Sequence, residues 1–504
     1  MGSGNRHVEV ERKFDVPAGT VFPSFDGLAA VARVERQPAQ SLDAVYFDTP
    51  GRDLAAHRIT LRRRTGGPDA GWHLKLPAGP DARTEVHAPL DTSTEVADMP
   101  VPDELLDIVL AIVRDRPLAP VARIATTRNV VMLYGGDGSA LAEFCDDEVS
   151  AWALGPADGE AGEEQRWHEW ELELVDGEID GGRDLLKRLG NRLLDAGAAP
   201  AGHGSKLAKV LDTAGSLPEM AEEPELSSDP VHRAVAEQVD ELLVWDRAVR
   251  ADTYDSVHQM RVTTRKIRSL LQASEDTFGL TDDSWVLDEL RQLAGVLGVA
   301  RDAEVLAERY EVALKALPDD LIRGPVYERL VAGAQRSYQA GLRRSLSAMR
   351  SPRYFRLLDT LDGLVAAQPP EAAPGEEPKP VSIDSAYRRV RKAAKNAAAA
   401  TEDRDEALHR IRKGAKRLRY VAAATGEPKV SDRAKTIQTL LGDHQDSVVS
   451  RTHLAQQSLV AHAAGEDTFT YGLLYRLEDD LANRCRDQLD DALSALRTAF
   501  KKAH

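Results

Sequence analysis

The sequence predicts an α+β protein whose two halves differ in secondary structure. Residues 1 to about 212 contain around eight short runs of alternating apolar and polar residues, a pattern typical of an antiparallel sheet or a closed barrel. From about residue 228 onward, segments rich in Ala, Leu, Arg and Glu follow the period of an α-helix. The helical half contains the same motifs twice, which predicts duplicated helix bundles with pseudo-twofold symmetry.

The predicted strands are separated by turn residues such as Gly135 and Gly136. They cover residues 8–14, 44–47, 59–64, 72–76, 83–89, 127–134, 141–149 and 167–175. Two helical patterns interrupt them, at residues 103–114 and 183–196. We expect these flanking helices to cover outward-facing strand residues, with Trp72 and Trp170 among them.

Two stretches rich in Pro and Glu divide the chain. Residues 213–228 form the predicted linker between a β-rich domain, 1–212, and a helical domain, 229–504. Residues 368–380 split the helical domain into two repeats, about 229–367 and 381–504. Such segments have almost nothing to bury, so we expect them to lie outside the packed cores.

Composition excludes several classes of protein. The 504 residues carry 65 Lys and Arg against 82 Asp and Glu, and the net charge of −17 disfavours a general nucleic-acid binder. No stretch approaches the roughly 20 apolar residues of a membrane span, and the N-terminus lacks the apolar region of a signal peptide. The two cysteines, Cys145 and Cys485, indicate a reducing compartment. We therefore expect a cytoplasmic protein with no membrane association.

Charged residues of both signs recur on single faces of the predicted strands. Alternation places Glu9, Glu11 and Lys13 on one face of the first strand, and the last strand carries three glutamates in the same way. An ordinary half-buried sheet with a solvated polar face explains any one such strand. If the strands close on themselves, however, Arg and Lys meet carboxylates across a narrow interior, which suits a divalent metal bound with a polyphosphate.

The motif Glu9-Val-Glu11-Arg-Lys13 resembles the Glu-x-Glu-x-Lys signature of the CYTH, or triphosphate tunnel metalloenzyme, family. Further matches follow in family order: Tyr46-Phe-Asp48-Thr49, Leu61-Arg62-Arg-Arg64, Leu74-Lys75-Leu, Arg83-Thr-Glu85, Arg128, Asp147-Glu-Val149, Glu171-Leu-Glu173 and Gly204-Ser205-Lys206. The resemblance spans residues 6–211 and implies an eight-stranded antiparallel β tunnel that holds a triphosphate along its axis.

The same resemblance implies roles for particular residues. The phosphate-binding set is Lys13, Arg62, Arg64, Lys75, Arg83, Arg123, Arg128 and Lys206. The implied ligands of one or two Mg²⁺ or Mn²⁺ ions are Glu9, Glu11, Asp147, Glu171 and Glu173. For catalysis we expect Glu11 or Glu173 to orient the attacking water, with Lys13 beside them on the phosphate. The sequence leaves open which glutamate acts as base and which as metal ligand.

Two helical segments of the C-terminal half carry continuous basic stripes. The first stripe contains His258, Arg261, Arg265, Lys266 and Arg268, and the second contains His409, Arg412, Lys413, Lys416 and Arg419. A solvated helix face usually interleaves Glu with Lys, whereas neither segment contains an acidic residue. An anionic ligand explains this better than a solvated face, and the histidines are either phosphate donors or ordinary buried or capping residues.

The repeated stripe resembles the CHAD domain, a helical module that follows CYTH domains in many bacterial proteins. The resemblance rests on both His-x-x-Arg motifs and on both Leu-Gly-x-x-x-Asp motifs, 297–302 and 441–446, which we expect to be turns. It implies two pseudo-symmetric four-helix bundles around a basic cavity for long-chain inorganic polyphosphate. Aromatic residues are only 5% of the chain, which disfavours stacking on nucleic-acid bases.

These observations predict a divalent-metal-dependent enzyme that hydrolyses inorganic triphosphate and binds polyphosphate through its helical domain. One alternative is a non-catalytic protein that binds or targets polyphosphate. Another is a tunnel that acts on thiamine triphosphate or a nucleoside triphosphate. Binding of polyphosphate would make polyphosphate granules a candidate location within the cytoplasm. The sequence identifies no protein partner.

Overall fold

The computed structural model describes residues 6–503 in two compact units, Met1–Glu223 and Pro224–His504. Within that range, the structure does not describe residues 18, 26, 29, 80, 92–99, 156–161, 178–180, 214–228, 274–277, 281–283, 368–382 and 400–403. Most of the predicted linker 213–228 and all of 368–380 therefore lie outside the described residues. The predicted domains 1–212 and 229–504 each fall within one of the two units.

Eight strands of the first unit close into an antiparallel barrel, which confirms the predicted fold. The described strands are β1 (Arg6–Asp15), β2 (Arg33–Arg36), β3 (Gln40–Asp48), β4 (Thr60–Thr65), β5 (Gly71–Gly79), β6 (Ala82–Pro89), β7 (Ala119–Tyr134), β8 (Ala140–Ala153), β9 (Gln165–Leu174) and β10 (Ala199–Pro200). The order around the barrel is β1-β6-β5-β4-β3-β7-β8-β9, and β9 pairs with β1 to close it. The short strands β2 and β10 pair with β7 and β1 outside this ring.

Four described helices pack against the strands of the barrel. They are α1 (Asp53–Ala56), α2 (Asp103–Val113), α3 (Gly182–Asp195) and α4 (Lys206–Thr213). Trp72 packs with residues of α2, and Trp170 packs with residues of α3, so both tryptophans face outward as predicted. The apolar side of α4 instead packs on Ala44, Tyr46 and Ile124, which face the barrel interior.

The second unit is all-α, as predicted, and both halves contain five described α-helices. The first half contains α5 (Pro230–Arg250), α6 (Ser256–Ala273), α7 (Trp285–Ala316), α8 (Gly333–Ala348) and α9 (Pro352–Ala366). The second contains α10 (Ile383–Ala399), α11 (Arg404–Ala424), α12 (Pro428–Ala463), α13 (Phe469–Asp487) and α14 (Leu489–Ala503). In both halves the first four helices pack in series, and the fifth packs back on them. No helix in the described part of the chain is both long and apolar enough to cross a bilayer.

The two Leu-Gly-x-x-x-Asp motifs are not turns, which corrects the prediction from sequence. Residues 297–302 lie inside α7, and residues 441–446 lie inside α12. A Cβ atom on Gly298 would lie 3.3 Å from the Arg261 guanidinium, and one on Gly442 would lie 3.2 Å from that of Arg412. Each glycine therefore gives an arginine of the basic stripe room to lie against the neighbouring helix.

Candidate functional site

The barrel encloses an ionic cavity of about 400 Å³. Seven Lys and Arg side chains line it: Lys13, Arg62, Arg64, Lys75, Arg83, Arg128 and Lys206. Carboxylates line it as well: Glu9, Glu11, Asp69, Glu85, Glu143, Glu171 and Glu173. The cations and acids that alternation placed on single strand faces thus converge inside the barrel, while Val10, Phe14 and Leu172 pack in an apolar core outside it.

Closure of the barrel brings together the two glutamate-rich strands. In the β1–β9 pairing, Glu11 lies opposite Glu173, and Lys13 lies opposite Glu171. Lys13 Nζ lies 2.9 Å from Glu11 Oε2 and also forms an ion pair with Glu171. Residues about 160 positions apart in the chain are therefore neighbours, because the first and last long strands pair with each other. The charged residues along this β1–β9 pairing are called the charged seam below.

Three buried carboxylates surround a single ammonium group next to this seam. Lys206 Nζ lies 2.9 Å from Asp147 Oδ2, 2.6 Å from Glu169 Oε1 and 2.8 Å from Glu171 Oε1. Arg128 adds two hydrogen bonds to Asp147, of 2.8 and 2.7 Å. Burial disfavours the charged form of Asp147, but Lys206 and Arg128 outweigh it and lower its pKa. These two cations therefore favour the ionised form of Asp147.

The environments of the remaining glutamates separate their pKa values. Burial, and then a hydrogen bond with Glu85, raises the pKa of Glu9 to about 9. Burial also opposes the ionisation of Glu11, but Lys13 and Lys75 outweigh it and lower the pKa of Glu11 to about 2. Burial raises the pKa of Glu173 to about 7, although Lys75 opposes the shift. Glu173 is thus the seam carboxyl that exchanges a proton near neutral pH.

One predicted phosphate-binding residue, Arg123, does not reach the cavity, which corrects its assignment. On β7, Ile124 and Arg128 point inward, so alternation turns Arg123 outward. Its guanidinium pairs with Asp43, with Nε 3.1 Å from Oδ1, and lies 5.9 Å from the ring centroid of Trp152. The other seven predicted cations line the cavity.

The structure also brings in residues that the sequence reasoning missed. The buried hydroxyl of Tyr46 accepts a 3.4 Å hydrogen bond from Arg62, and this cation lowers the pKa of Tyr46 against the effect of burial. Strand alternation placed Glu85 and Glu169 on the same faces as Arg83 and Glu171, but neither glutamate was assigned a role in the site. Asp48 belongs to the same motif as Tyr46, but its carboxylate accepts the backbone N–H groups of residues 49, 54 and 55 and caps α1.

In the helical unit, the basic stripes of α6 and α11 face each other. Burial, and then repulsion from Arg261 and Arg412, lowers the pKa of Arg265 to about 10. Burial, and then repulsion from Arg265 and Arg412, lowers the pKa of Lys416 to about 6. In the described part of the chain, no carboxylate lies within ion-pair distance of Arg265, Arg412 or Lys416. These four residues, Arg261, Arg265, Arg412 and Lys416, are called the basic centre below.

The other predicted polyphosphate-binding residues surround the basic centre at different depths. His258 and His409 are partly buried; burial lowers both pKa values, with help from Arg301 at His258 and Lys413 at His409. Arg268 donates a hydrogen bond to the backbone oxygen of Leu287, and Arg419 donates one to the side chain of Gln438. Lys413 is exposed to solvent. Lys266 faces Glu241 and Glu237.

Comparison with known protein families identifies both domains of the chain. Residues 7–194 match the model of the CYTH domain, and residues 233–455 match that of the CHAD domain. The chain is a CYTH–CHAD protein. CYTH domains are tunnel metalloenzymes that bind triphosphate substrates, and CHAD domains are linked to polyphosphate.

Relatives of this CYTH–CHAD protein cover either the whole chain or one domain. It is 65% identical to the uncharacterized protein MT2285 of Mycobacterium tuberculosis, over 99% of this chain and 98% of that protein. The CHAD domain from the plant Ricinus communis is 24% identical, with a TM-score of 0.41 over 54% of this chain and 93% of its own. The putative adenylyl cyclase HpAC1 from Hippeastrum, described as having a dominant triphosphatase activity, is 17% identical, with a TM-score of 0.27 over 42% of this chain and 98% of its own.

The carboxylates of the CYTH domain fit a hard divalent cation. Donor oxygens of Asp147, Glu169 and Glu171 all lie within 4.8 Å of one another, and the ammonium group of Lys206 already occupies the space between them. Oxygen donors of this kind suit Mg²⁺ or Mn²⁺. The five predicted metal ligands do not form one set among the described residues: Glu9 groups with His7 and Glu85, and Glu11 and Glu173 belong to neither group.

Proposed function

We propose that the CYTH tunnel hydrolyses inorganic triphosphate with the help of Mg²⁺ or Mn²⁺. The observation that carries this proposal is the lining of the cavity, in which charged side chains outnumber the apolar ones. Among the described residues, no Trp or Phe side chain lines it, and its aromatic rings are those of Tyr46 and His7. A nucleobase or a thiazolium ring needs an apolar or stacking surface, so the lining favours a bare phosphate chain over nucleoside or thiamine triphosphate.

The cavity cations bind and orient the substrate in this proposal. Lys13, Lys75, Arg128 and Lys206 are paired with carboxylates, whereas the Nε atom of Arg62 is buried without a hydrogen-bond partner among the described residues. Non-bridging phosphate oxygens satisfy such donors, and the guanidinium groups provide paired hydrogen bonds. A bound Mg²⁺ or Mn²⁺ would add charge neutralisation at the phosphate oxygens.

Glu173 is our proposed general base. A carboxyl group with a pKa near the working pH can both accept a proton and lose it again. Glu173 would take the proton from a water molecule whose oxygen bonds to the terminal phosphorus as the bridging P–O bond breaks and pyrophosphate leaves. Glu11 stays ionised beside Lys13, which suits binding better than proton transfer.

The CHAD domain, we propose, binds long-chain inorganic polyphosphate at the basic centre. Its Arg and Lys groups are partly buried, so water screens the repulsion between their positive charges less than it would at an exposed surface. A chain of phosphates relieves this repulsion at several positions at once. The sparse aromatic content near these helices favours an inorganic chain over nucleic acid.

Phosphate release tests the tunnel proposal. Inorganic triphosphate, ATP and thiamine triphosphate are compared as substrates with Mg²⁺ or Mn²⁺, using wild type, Glu173→Gln and the matched control Glu148→Gln, which changes an exposed residue of β8. We expect inorganic triphosphate to be preferred, and we expect Glu173→Gln alone to lower kcat by about 10²-fold or more. In wild type, kcat/KM should fall as the pH drops below about 7, because protonation removes the base.

Two results would contradict this assignment. A Glu173→Gln variant with the full rate on every substrate excludes Glu173 as the base. A wild-type protein that binds triphosphate but releases no phosphate from any of the three supports the non-catalytic alternative.

A further inference from the structure

Three potential metal ligands meet in the lining of the tunnel, and none of them belongs to the cluster around Lys206. His7 and Glu85 are direct partners in the pairing of β1 with β6, and Glu9 follows His7 by two residues on the same strand face. His7 Nε2 lies 3.5 Å from Glu9 Oε1 and 3.4 Å from Glu85 Oε2. Nothing in the proposed hydrolysis uses His7 or Glu85.

Glu9 and Glu85 each contact another side chain through one carboxylate oxygen and His7 through the other. The other oxygen of Glu9, Oε2, lies 2.5 Å from Lys75 Nζ. The other oxygen of Glu85, Oε1, lies 2.6 Å from Nδ1 of the buried His73. His73 is itself fixed by a 3.0 Å contact between its Nε2 and the backbone oxygen of Asp69. Each carboxylate is thus held by a buried partner and directs its second oxygen towards His7, as supporting groups do around metal ligands.

The two separations from His7 Nε2 match the spacing of ligands around a small metal ion, and the three donor atoms all lie within 4.8 Å of one another. Ligands about 2.0–2.1 Å from a tetrahedral Zn²⁺ lie about 3.4 Å from one another. Glu9 and Glu85 are only 4% and 5% exposed, whereas the side chain of His7 is 58% exposed. A metal held here would reach solvent on the His7 side, which leaves a position for water or another ligand.

We propose that His7 Nε2, Glu9 Oε1 and Glu85 Oε2 form a binding site for a borderline divalent transition metal such as Zn²⁺. An imidazole nitrogen suits Zn²⁺ or Co²⁺, whereas Mg²⁺ takes oxygen ligands and keeps much of its hydration shell. This site differs in donor type from the Asp147–Glu169–Glu171 cluster, which offers oxygen alone. It does not depend on triphosphate hydrolysis.

Metal binding to the full-length protein tests the site. Zn²⁺ is titrated by calorimetry, and Co²⁺ is followed by its visible absorption, in wild type, His7→Ala, Glu85→Gln and the control His57→Ala. His57 is exposed and follows α1 directly, and its ring nitrogen Nδ1 lies 2.8 Å from the backbone oxygen of Asp53. We expect His7→Ala and Glu85→Gln each to weaken Zn²⁺ binding at least tenfold and to change the Co²⁺ spectrum, while His57→Ala does neither.

X-ray absorption of the Zn²⁺-loaded protein gives a second readout, with one imidazole expected among the zinc ligands. Unchanged Zn²⁺ affinity in folded His7→Ala, or a zinc shell without imidazole, would overturn the proposal. Phosphate release with Mg²⁺ alone is measured on the same preparations. Loss of Zn²⁺ binding and lack of hydrolysis are then separate results, so either proposal can fail without the other.

Discussion

Lys416 lies between the two halves of the CHAD domain and faces cations from both. Burial, and then the guanidinium groups of Arg265, Arg412, Arg261 and Arg419, lowers its pKa from the usual 10.5 to about 6. At pH 7.5 such an amine is only about 3% protonated, since each unit of pH above the pKa reduces the charged fraction about tenfold. The unliganded domain therefore holds a neutral lysine in the basic centre.

Polyphosphate binding should reverse this shift. An anion beside the amine favours the charged form, so the pKa of Lys416 rises towards its ordinary value in the complex. Because the pKa is higher in the complex than in the free protein, binding takes up a proton at any pH between the two values. We expect an uptake of about one proton per bound chain at pH 7.5. Affinity should decrease up to about tenfold, or about 1.4 kcal/mol, for each pH unit above 6.

Calorimetry in buffers with different ionisation enthalpies measures this uptake directly. The slope of the binding enthalpy against the ionisation enthalpy of the buffer gives the number of protons taken up. At pH 7.5 this number should be about one smaller for Lys416→Met than for wild type. Lys413→Met is the matched control, because Lys413 is an exposed lysine of the same helix. Equal proton uptake in wild type and Lys416→Met would refute the reasoning.

Three further predictions concern single side chains. Lys206→Met leaves three buried carboxylates without their shared cation, so we expect a loss of about 3–5 kcal/mol in unfolding free energy, measured by denaturant titration at pH 7. Arg128→Ala should raise KM for inorganic triphosphate at least tenfold, while Arg123→Ala leaves it within about twofold; equal effects would place Arg123 in the cavity. Gly442→Val should displace the Arg412 guanidinium and weaken polyphosphate binding severalfold in a filter-binding assay, and a folded variant with unchanged affinity would contradict this packing.

Strand alternation predicted most of the tunnel lining but was not applied to every residue. It placed Glu9, Glu11 and Lys13 on one face, and those side chains do line the cavity. Arg123 was assigned by resemblance alone, although its strand also carries the inward-facing Arg128 at the opposite parity. The same rule placed Glu85 beside Arg83 and Glu169 beside Glu171, but neither glutamate was assigned a role in the site.

The glycines of the CHAD repeats show a different limit of sequence reasoning. Gly298 and Gly442 looked like turn residues, because glycine commonly ends a helix. Both lie within long helices, where the missing Cβ makes room for an arginine from another helix. A glycine required by close packing and a glycine required by a turn have the same local sequence signature, and only the neighbouring helix distinguishes them.

The sequence by itself determined the two fold classes, the inward-facing charges of the strands and the duplication of the basic helix. These follow from periods of two and about 3.6 residues, which depend on positions close together in the chain. Only the tertiary structure decided which carboxylates share a cation, which of them holds its proton near pH 7, and that His7 meets Glu85. Those properties depend on distances of a few ångströms between residues far apart in the chain, and on the burial that strengthens each charge interaction.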